Sequence, residues 1–197
     1  MRTITREVFT VKELLESAKE KAHYNYCSND SYAWAGENEA VLKEFTKIFP
    51  VSITKWEYGY QNFICFRFTD DEDIENLSGI RLLKYLYNNY YSRLFKGKYF
   101  YKSNYANGQH KYRHSRIIMD NCCVLTGYCI DDDILEPIYK FLKNPCKHIT
   151  FNDLLDDCLQ SWVIACSKDY EAYYDIEHFE EIAKINNWEF YEDGTMV

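Results

Sequence analysis

Only three prolines occur in 197 residues, and 47% of the side chains are apolar or aromatic, a composition that argues against extended disorder. No stretch approaches the ~20 apolar residues that a membrane-spanning helix requires. The opening Met1-Arg2-Thr3-Ile4-Thr5-Arg6-Glu7 lacks the apolar centre of a secretory signal. Together these absences lead to the expectation of a soluble protein in a reducing, intracellular compartment. Neither G-x-x-x-x-G-K-[ST] nor G-x-G-x-x-G is present, so nucleotide binding by those loops is not supported. There is no C-x-x-C knuckle, no internal repeat and no low-complexity linker.

A further absence is local. Leu77 to Met119 contains no Asp or Glu, but nine cations: Arg81, Lys84, Arg93, Lys96, Lys98, Lys102, Lys111, Arg113 and Arg116. Residues 1–76 hold nine basic against fourteen acidic side chains, and 120–197 hold five against seventeen, so the formal net charge of −8 hides one strongly cationic segment. The segment also carries ten aromatic residues, among them Tyr85, Tyr87, Tyr90 and Tyr91. Cations interleaved with rings suit phosphate pairing with base stacking, and suit a protein interface equally well. The competing reading is internal neutralisation by the acidic C-terminal third, which would leave no external site.

Eight cysteines are spread along the chain: Cys27, Cys65, Cys122, Cys123, Cys129, Cys146, Cys158 and Cys166. In a reducing compartment they read as free thiols, several of them on apolar stripes where cysteine acts as a small hydrophobe. The best metal pattern is His110-x3-His114 followed by Cys122 or Cys123 and Cys129, with imidazole and thiolate donors of the kind zinc takes. Adjacent cysteines in a strand point to opposite faces, which spoils the spacing. We therefore expect no metal and no cofactor. Cys146-x-His148 is a weaker pattern still, and a Cys/His nucleophilic pair has no local signature to single out its members. The acidic groups Asp153, Asp156 and Asp157, with Gln160, read most simply as solvated helix faces.

Hydrophobic periodicity predicts an α+β protein with small antiparallel sheets packed against several helices, in one domain over 1–197. Thr3 to Phe9 reads as a strand. Thr10-x-x-Glu13 is a capping box that starts a helix with Val11, Leu14, Leu15, Ala18 and Ala22 inward, broken at Ser28-Asn29-Asp30-Ser31. A second helix begins near Tyr32 or Glu37 and ends at Pro50. Val51–Tyr58 and Asn62–Thr69 form a hairpin around Gly59-Tyr60-Gln61, with Trp56, Tyr58, Ile64, Phe66 and Phe68 on its buried side. The acidic run Asp70 to Glu75 places negative charge at a helix start.

The basic segment opens with a helix from Ser78 to Phe95. One face gathers Ile80, Leu83, Leu86, Tyr87, Tyr90 and Leu94, and the other Arg81, Lys84, Tyr85, Asn88 and Ser92. This assigns Tyr87 and Tyr90 to the core and Tyr85 to the cations. Lys98 to Arg116 is expected to be a long loop or irregular hairpin, and Ser115–Met119 and Cys122–Tyr128 two short strands around Asp120-Asn121. A helical, acidic part follows over 131–187. Its helices run from Asp131 to Asn144-Pro145 with Pro137 early, from the box Thr150-x-x-Asp153 through Leu155, Cys158, Leu159, Trp162, Cys166 and Tyr170, and from Ile176 to about Asn186, before a turn at Glu192-Asp193-Gly194.

Val11-Lys12-Glu13-Leu14-Leu15-Glu16-Ser17-Ala18-Lys19-Glu20-Lys21-Ala22 near the start and Asn186-Asn187-Trp188-Glu189-Phe190-Tyr191-Glu192-Asp193-Gly194 near the end resemble a diffuse group of small phage and prophage accessory proteins loosely labelled antitoxin-like. Phe151-Asn152-Asp153-Leu154-Leu155-Asp156-Asp157-Cys158 is similar to a further segment of that group. The resemblance covers about a quarter of the chain, through helix-start and turn signatures. By analogy with small phage proteins that act against host defence, it implies a non-enzymatic inhibitor in the cytoplasm of a bacterial host. Its partner would be a defence protein or ribonucleoprotein, as when an anti-CRISPR protein blocks a CRISPR nuclease. Its contact surface would be Arg81, Lys84, Tyr85, Arg93, Lys96, Lys98, Lys102, Lys111, Arg113 and Arg116. The alternatives are an antitoxin-like module that binds nucleic acid directly and a metal- or cysteine-dependent enzyme.

Overall fold

The computed structural model describes residues 6–95, 98–101, 115–118 and 122–197. Among them are α1 (Glu16–Asn29), α2 (Ala35–Ile48), β1 (Val51–Glu57), β2 (Phe63–Phe68), α3 (Glu72–Glu75), α4 (Gly79–Leu94), β3 (Lys98–Tyr101), β4 (Ser115–Ile118), α5 (Ile130–Lys143), α6 (Phe151–Tyr173) and α7 (Ile176–Ile185). Strands β1 and β2 pair antiparallel, as do β3 and β4, giving two separate two-stranded sheets among helices. The fold is α+β. By backbone contacts it divides into a larger unit, Ala35–Cys166, and a smaller one formed by Met1–Trp34 with Ser167–Val197.

In the larger unit the core is laid down by α2, α4, α5 and the first part of α6. Trp162, Phe45, Phe49, Phe151, Leu82 and Leu86 are all fully buried there. Each such side chain contributes roughly 1.5–3 kcal/mol by leaving water. The stripe expected on α6 is in place, with Leu155, Cys158, Leu159, Trp162 and Cys166 buried. The Trp162 ring meets Trp56 and Tyr58 edge-on at 5.4 and 5.7 Å, and its Nε1–H donates to the Asn38 carbonyl at 3.2 Å. Trp56, Tyr58, Ile64, Phe66 and Phe68 all pack on this core, as the alternation of the hairpin requires. A bulge between Ile53 and Lys55 shifts the register of that hairpin. Its turn is closed by the Asn62 side chain, which accepts from the Gly59 N–H at 3.0 Å.

Capping decides where α6 begins. Asp153 Oδ2 accepts from the Thr150 N–H and hydroxyl at 3.0 and 2.7 Å, and Thr150 Oγ1 accepts from the Asp153 N–H at 3.1 Å, the reciprocal box expected from Thr150-x-x-Asp153. The first box behaves differently. Glu13 Oε2 accepts from the Thr10 N–H and hydroxyl, both at 2.8 Å, yet residues 10–14 form a turn and α1 starts only at Glu16. The turn lets Val11 and Leu14 reach the core while Leu15 stays 71% exposed.

The smaller unit closes the chain's two ends on each other. Phe9 and Phe190 exchange backbone hydrogen bonds of 2.8 and 2.9 Å, where the sequence had suggested a first strand over Thr3–Phe9; residues 1–5 lie outside the described residues. Val11, Leu14, Ala18 and Ala22 bury against Phe179, Ala183 and Phe190. Residues 11–22 and 186–194 thus belong to one packed unit.

One expected strand is absent. Cys122–Tyr128 forms turns, and the partner of β3 is β4, in the register Lys98↔Ile118 to Tyr101↔Ser115. The physical cause is Asp131, which is fully buried. Its Oδ2 accepts from the N–H groups of Leu125, Thr126 and Gly127 at 2.9, 2.7 and 3.0 Å, and its Oδ1 from the Thr126 hydroxyl at 2.8 Å. A carboxylate that collects three consecutive amides removes the donors a strand ladder would need.

Candidate binding surface

Helix α4 carries the first part of the basic segment. Leu82, Leu86 and Leu94 are buried, and Arg81, Lys84, Asn88, Ser92 and Arg93 are exposed. At about 100° per residue, this places the buried arc on the Leu82–Leu86 side, a rotation away from the face centred on Ile80 and Tyr87. Ile80 is 57% and Tyr87 43% exposed. Tyr85, expected among the cations, packs instead against the core. Its ring meets Phe151 at 5.6 Å and Tyr90 at 5.9 Å, both edge-on. Burial, and then a hydrogen bond with Tyr85, pushes the Tyr90 phenol up from its ordinary value. The ring that does stand beside the cations is Tyr87, stacked on Tyr91 at 5.8 Å.

Arg81, Lys84 and Arg93 form no ion pair with any described carboxylate; the described ion pairs engage Lys19, Lys21, Lys47 and Lys140. Of the other expected contact residues, Lys98 lies on β3 and Arg116 on β4, where Arg116 is the backbone partner of Phe100. Lys96, Lys102, Lys111 and Arg113 lie outside the described residues. The described surface is therefore the outward face of α4: Ile80, Arg81, Lys84, Tyr87 and Asn88, with Ser92 toward its end; Arg93 is exposed at the last turn but lies about 180° round the helix from Lys84. Tyr87 and Ile80 were missed because both complete an apolar stripe when composition alone is read on the wheel.

The cysteine chemistry separates into two places. In the smaller unit, Cys27 Sγ lies 3.3 Å from His23 Nε2, which also lies 2.9 Å from the Tyr174 carbonyl oxygen. A carbonyl only accepts, so Nε2 carries the proton and has no lone pair to take one from the thiol. Burial also pushes the Cys27 thiol up. This geometry is that of a structural contact and lacks the activated thiolate of a nucleophile–base pair.

In the larger unit, Cys122, Cys123 and Asp132 gather at the start of α5. The two sulfurs are 3.5 Å apart, and Asp132 Oδ1 accepts from the Cys123 N–H at 2.8 Å. The hydrogen bond with Cys122, then burial, then the negative charge of Asp132 push the Cys123 thiol up to about 12. His110 and His114 lie outside the described residues, and Cys129 is the N-cap residue of α5. At Cys146-x-His148 only the backbone N–H of His148 meets the sulfur, at 3.4 Å.

A cleft of about 440 Å³ opens in the smaller unit, lined by Tyr26, Asp30, Tyr173, His178, Trp188 and Phe190 among others. Its shortest polar contact is internal, the Tyr173 hydroxyl donating to Asp30 Oδ2 at 2.6 Å, so that carboxylate is engaged in holding α6 to the end of α1. No helix among the described residues is long and apolar enough to cross a membrane. Fold and surface together define a small α+β protein with a cationic helix face. No protein-family model matches the chain, no curated protein is similar to it, and no solved structure matches it.

Proposed function

We propose that this chain is a non-catalytic binding protein that blocks a nucleic-acid-processing assembly of a bacterial host. An RNA-guided nuclease is the partner class that the phage-protein resemblance implies. The observation that carries the reading is the exposed α4 face, where Arg81 and Lys84 stand without described ion-pair partners in a chain of net charge −8, with Arg93 a third exposed cation at the end of the helix. Exposed cations beside an exposed ring supply paired hydrogen bonding to phosphate or carboxylate and an apolar contact in one patch. The acidic remainder of the chain would be repelled by free polyanions, which favours a partner presenting protein and nucleic acid together.

The test is retention of RNA-guided nucleases by the immobilised full chain, with cleavage of target DNA as the second readout. Binding and inhibition by the wild type, both lost in an R81E/K84E/R93E variant that folds normally, is the expected result. Failure of every effector to bind, or full inhibition by the triple variant, overturns the reading.

Tyr87 beside Lys84 also favours a second reading, direct binding of nucleic acid by stacking and phosphate pairing. That reading requires affinity for naked RNA or DNA which falls steeply with added salt as counterions are released. A mobility shift at low salt, absent in the triple variant, would support it over the first.

A further inference from the structure

We propose that Cys122, Cys123 and Asp132 form a binding site for a thiophilic divalent cation, with zinc(II) the ion whose chemistry the donors fit. The two sulfurs and a carboxylate oxygen all lie within 4.8 Å of one another. In a tetrahedral site with Zn–S bonds of about 2.3 Å, two sulfurs stand about 3.8 Å apart. The Cys122–Cys123 separation of 3.5 Å is close to that edge, so the two sulfurs already stand at nearly the spacing the ion requires.

Adjacent cysteines in a strand could not do this, because their side chains point to opposite faces. Here Cys123 has φ 49°, in the left-handed region that non-glycine residues seldom adopt, and the reversal brings both sulfurs together. The third donor is positioned independently of any ion. Asp131 fixes the connection by collecting the amides of Leu125, Thr126 and Gly127, and the Cys123 N–H holds Asp132 through Oδ1. With Oδ1 taken by the Cys123 N–H, the carboxylate has its second oxygen to offer an ion. Cys122 and Asp132 are exposed, which gives the ion a path in and leaves the fourth position to water. Once both thiols are deprotonated, two thiolates and a carboxylate this close would repel one another, and a dication would remove that repulsion.

The full chain, reduced with a non-coordinating phosphine and freed of metal by a chelator that is then removed, is titrated with Zn²⁺ against a chromophoric zinc indicator. Co²⁺ is followed separately by absorption. The expected results are one tightly held zinc per chain and a thiolate-to-cobalt charge-transfer band. C122S and C123S should each weaken binding by at least about tenfold, and D132N by about tenfold, the scale on which coordination-sphere changes act. C65S, on β2 away from the cluster, should bind as the wild type does. Circular dichroism unchanged in every variant keeps the comparison to the site. Affinity should rise with pH, because thiols lose their protons on binding. The proposal is overturned if no zinc is retained against the indicator or if the C122S/C123S double variant binds like wild type. Recovery of Cys122 and Cys123 as a disulfide with no metal affinity when reduced overturns it as well.

Discussion

The hydroxyl of Ser161 donates to the backbone carbonyl of Asp133 at 2.8 Å, joining α6 to the residue four before Pro137 in α5. A proline in a helix interior has no N–H for the carbonyl four residues back. Pro137 is the eighth residue of α5, beyond the first turns where the sequence placed it, so the helix persists with help from its neighbour. Replacing Ser161 with Ala should cost about 1 kcal/mol, the usual worth of such a bond. In a P137A background residue 137 regains its N–H, and the same S161A change should cost less. A double-mutant cycle by urea denaturation measures the difference, and equal costs in the two backgrounds would refute the pairing.

Gly194 has φ 82° and lies against the Ala18 carbonyl with no room for a β-carbon. Both the left-handed backbone and the close approach exclude a side chain. Gly194→Ala should lower stability by more than about 2 kcal/mol, combining the left-handed penalty with overpacking against backbone. Gly127→Ala makes the comparison, since Gly127 shares a positive φ of 99° but has open space where its β-carbon would lie. Its smaller loss should separate strain from collision in thermal or urea unfolding.

Asp193 gives the smaller unit an acid-sensitive link. The Lys21 ammonium donates to its Oδ2 at 2.8 Å, and the Thr195 N–H to its Oδ1 at 3.0 Å. The Lys21 hydrogen bond first, and the Thr195 contacts after it, hold the carboxyl at about 2. An unfolded aspartate titrates near ~3.9. A carboxylate lowered on folding stabilises the folded state above the unfolded value and loses that contribution as pH falls toward the folded one. Wild type should therefore exceed D193N in unfolding midpoint near neutral pH, and the gap should close between about pH 4 and about pH 2. A gap that stays constant across this range would exclude Asp193 as its source.

Tyr85 and Tyr87 should separate stability from binding. Tyr85 packs on Phe151 and Tyr90, so Y85A should destabilise by about 2 kcal/mol. Tyr87 is 43% exposed, so Y87A should change stability by less than about 1 kcal/mol. Under the proposed function, the Y87A variant should instead lose affinity for the partner. Unfolding curves read beside binding curves for both variants decide the matter, and the reverse pattern would restore Tyr85 to the surface.

Much of the architecture was legible because it is local. The α6 stripe repeats at helical spacing, the β1–β2 hairpin alternates around Gly59, and Thr150-x-x-Asp153 is a box whose partners are three residues apart. The charge map was legible too, since Leu77 to Met119 contains no acid whatever the fold. The roll of α4 could not be read this way. With Ile80, Leu82, Leu83, Leu86, Tyr87 and Tyr90 available, several apolar arcs fit one helix, and only the packing of Phe151 and its neighbours selects Leu82 and Tyr90 over Ile80 and Tyr87.

Sequence alone determined the class of the fold, the order of most elements and the concentration of positive charge, because propensity, periodicity and formal charge belong to neighbouring residues. Tertiary structure alone decided which ring of α4 faces outward and that Phe9 meets Phe190 across the chain's length. It also decided that Cys122 and Cys123 share a side with Asp132. Each of these depends on groups distant in sequence or on one buried carboxylate, Asp131, drawing a segment of strand-like composition into turns.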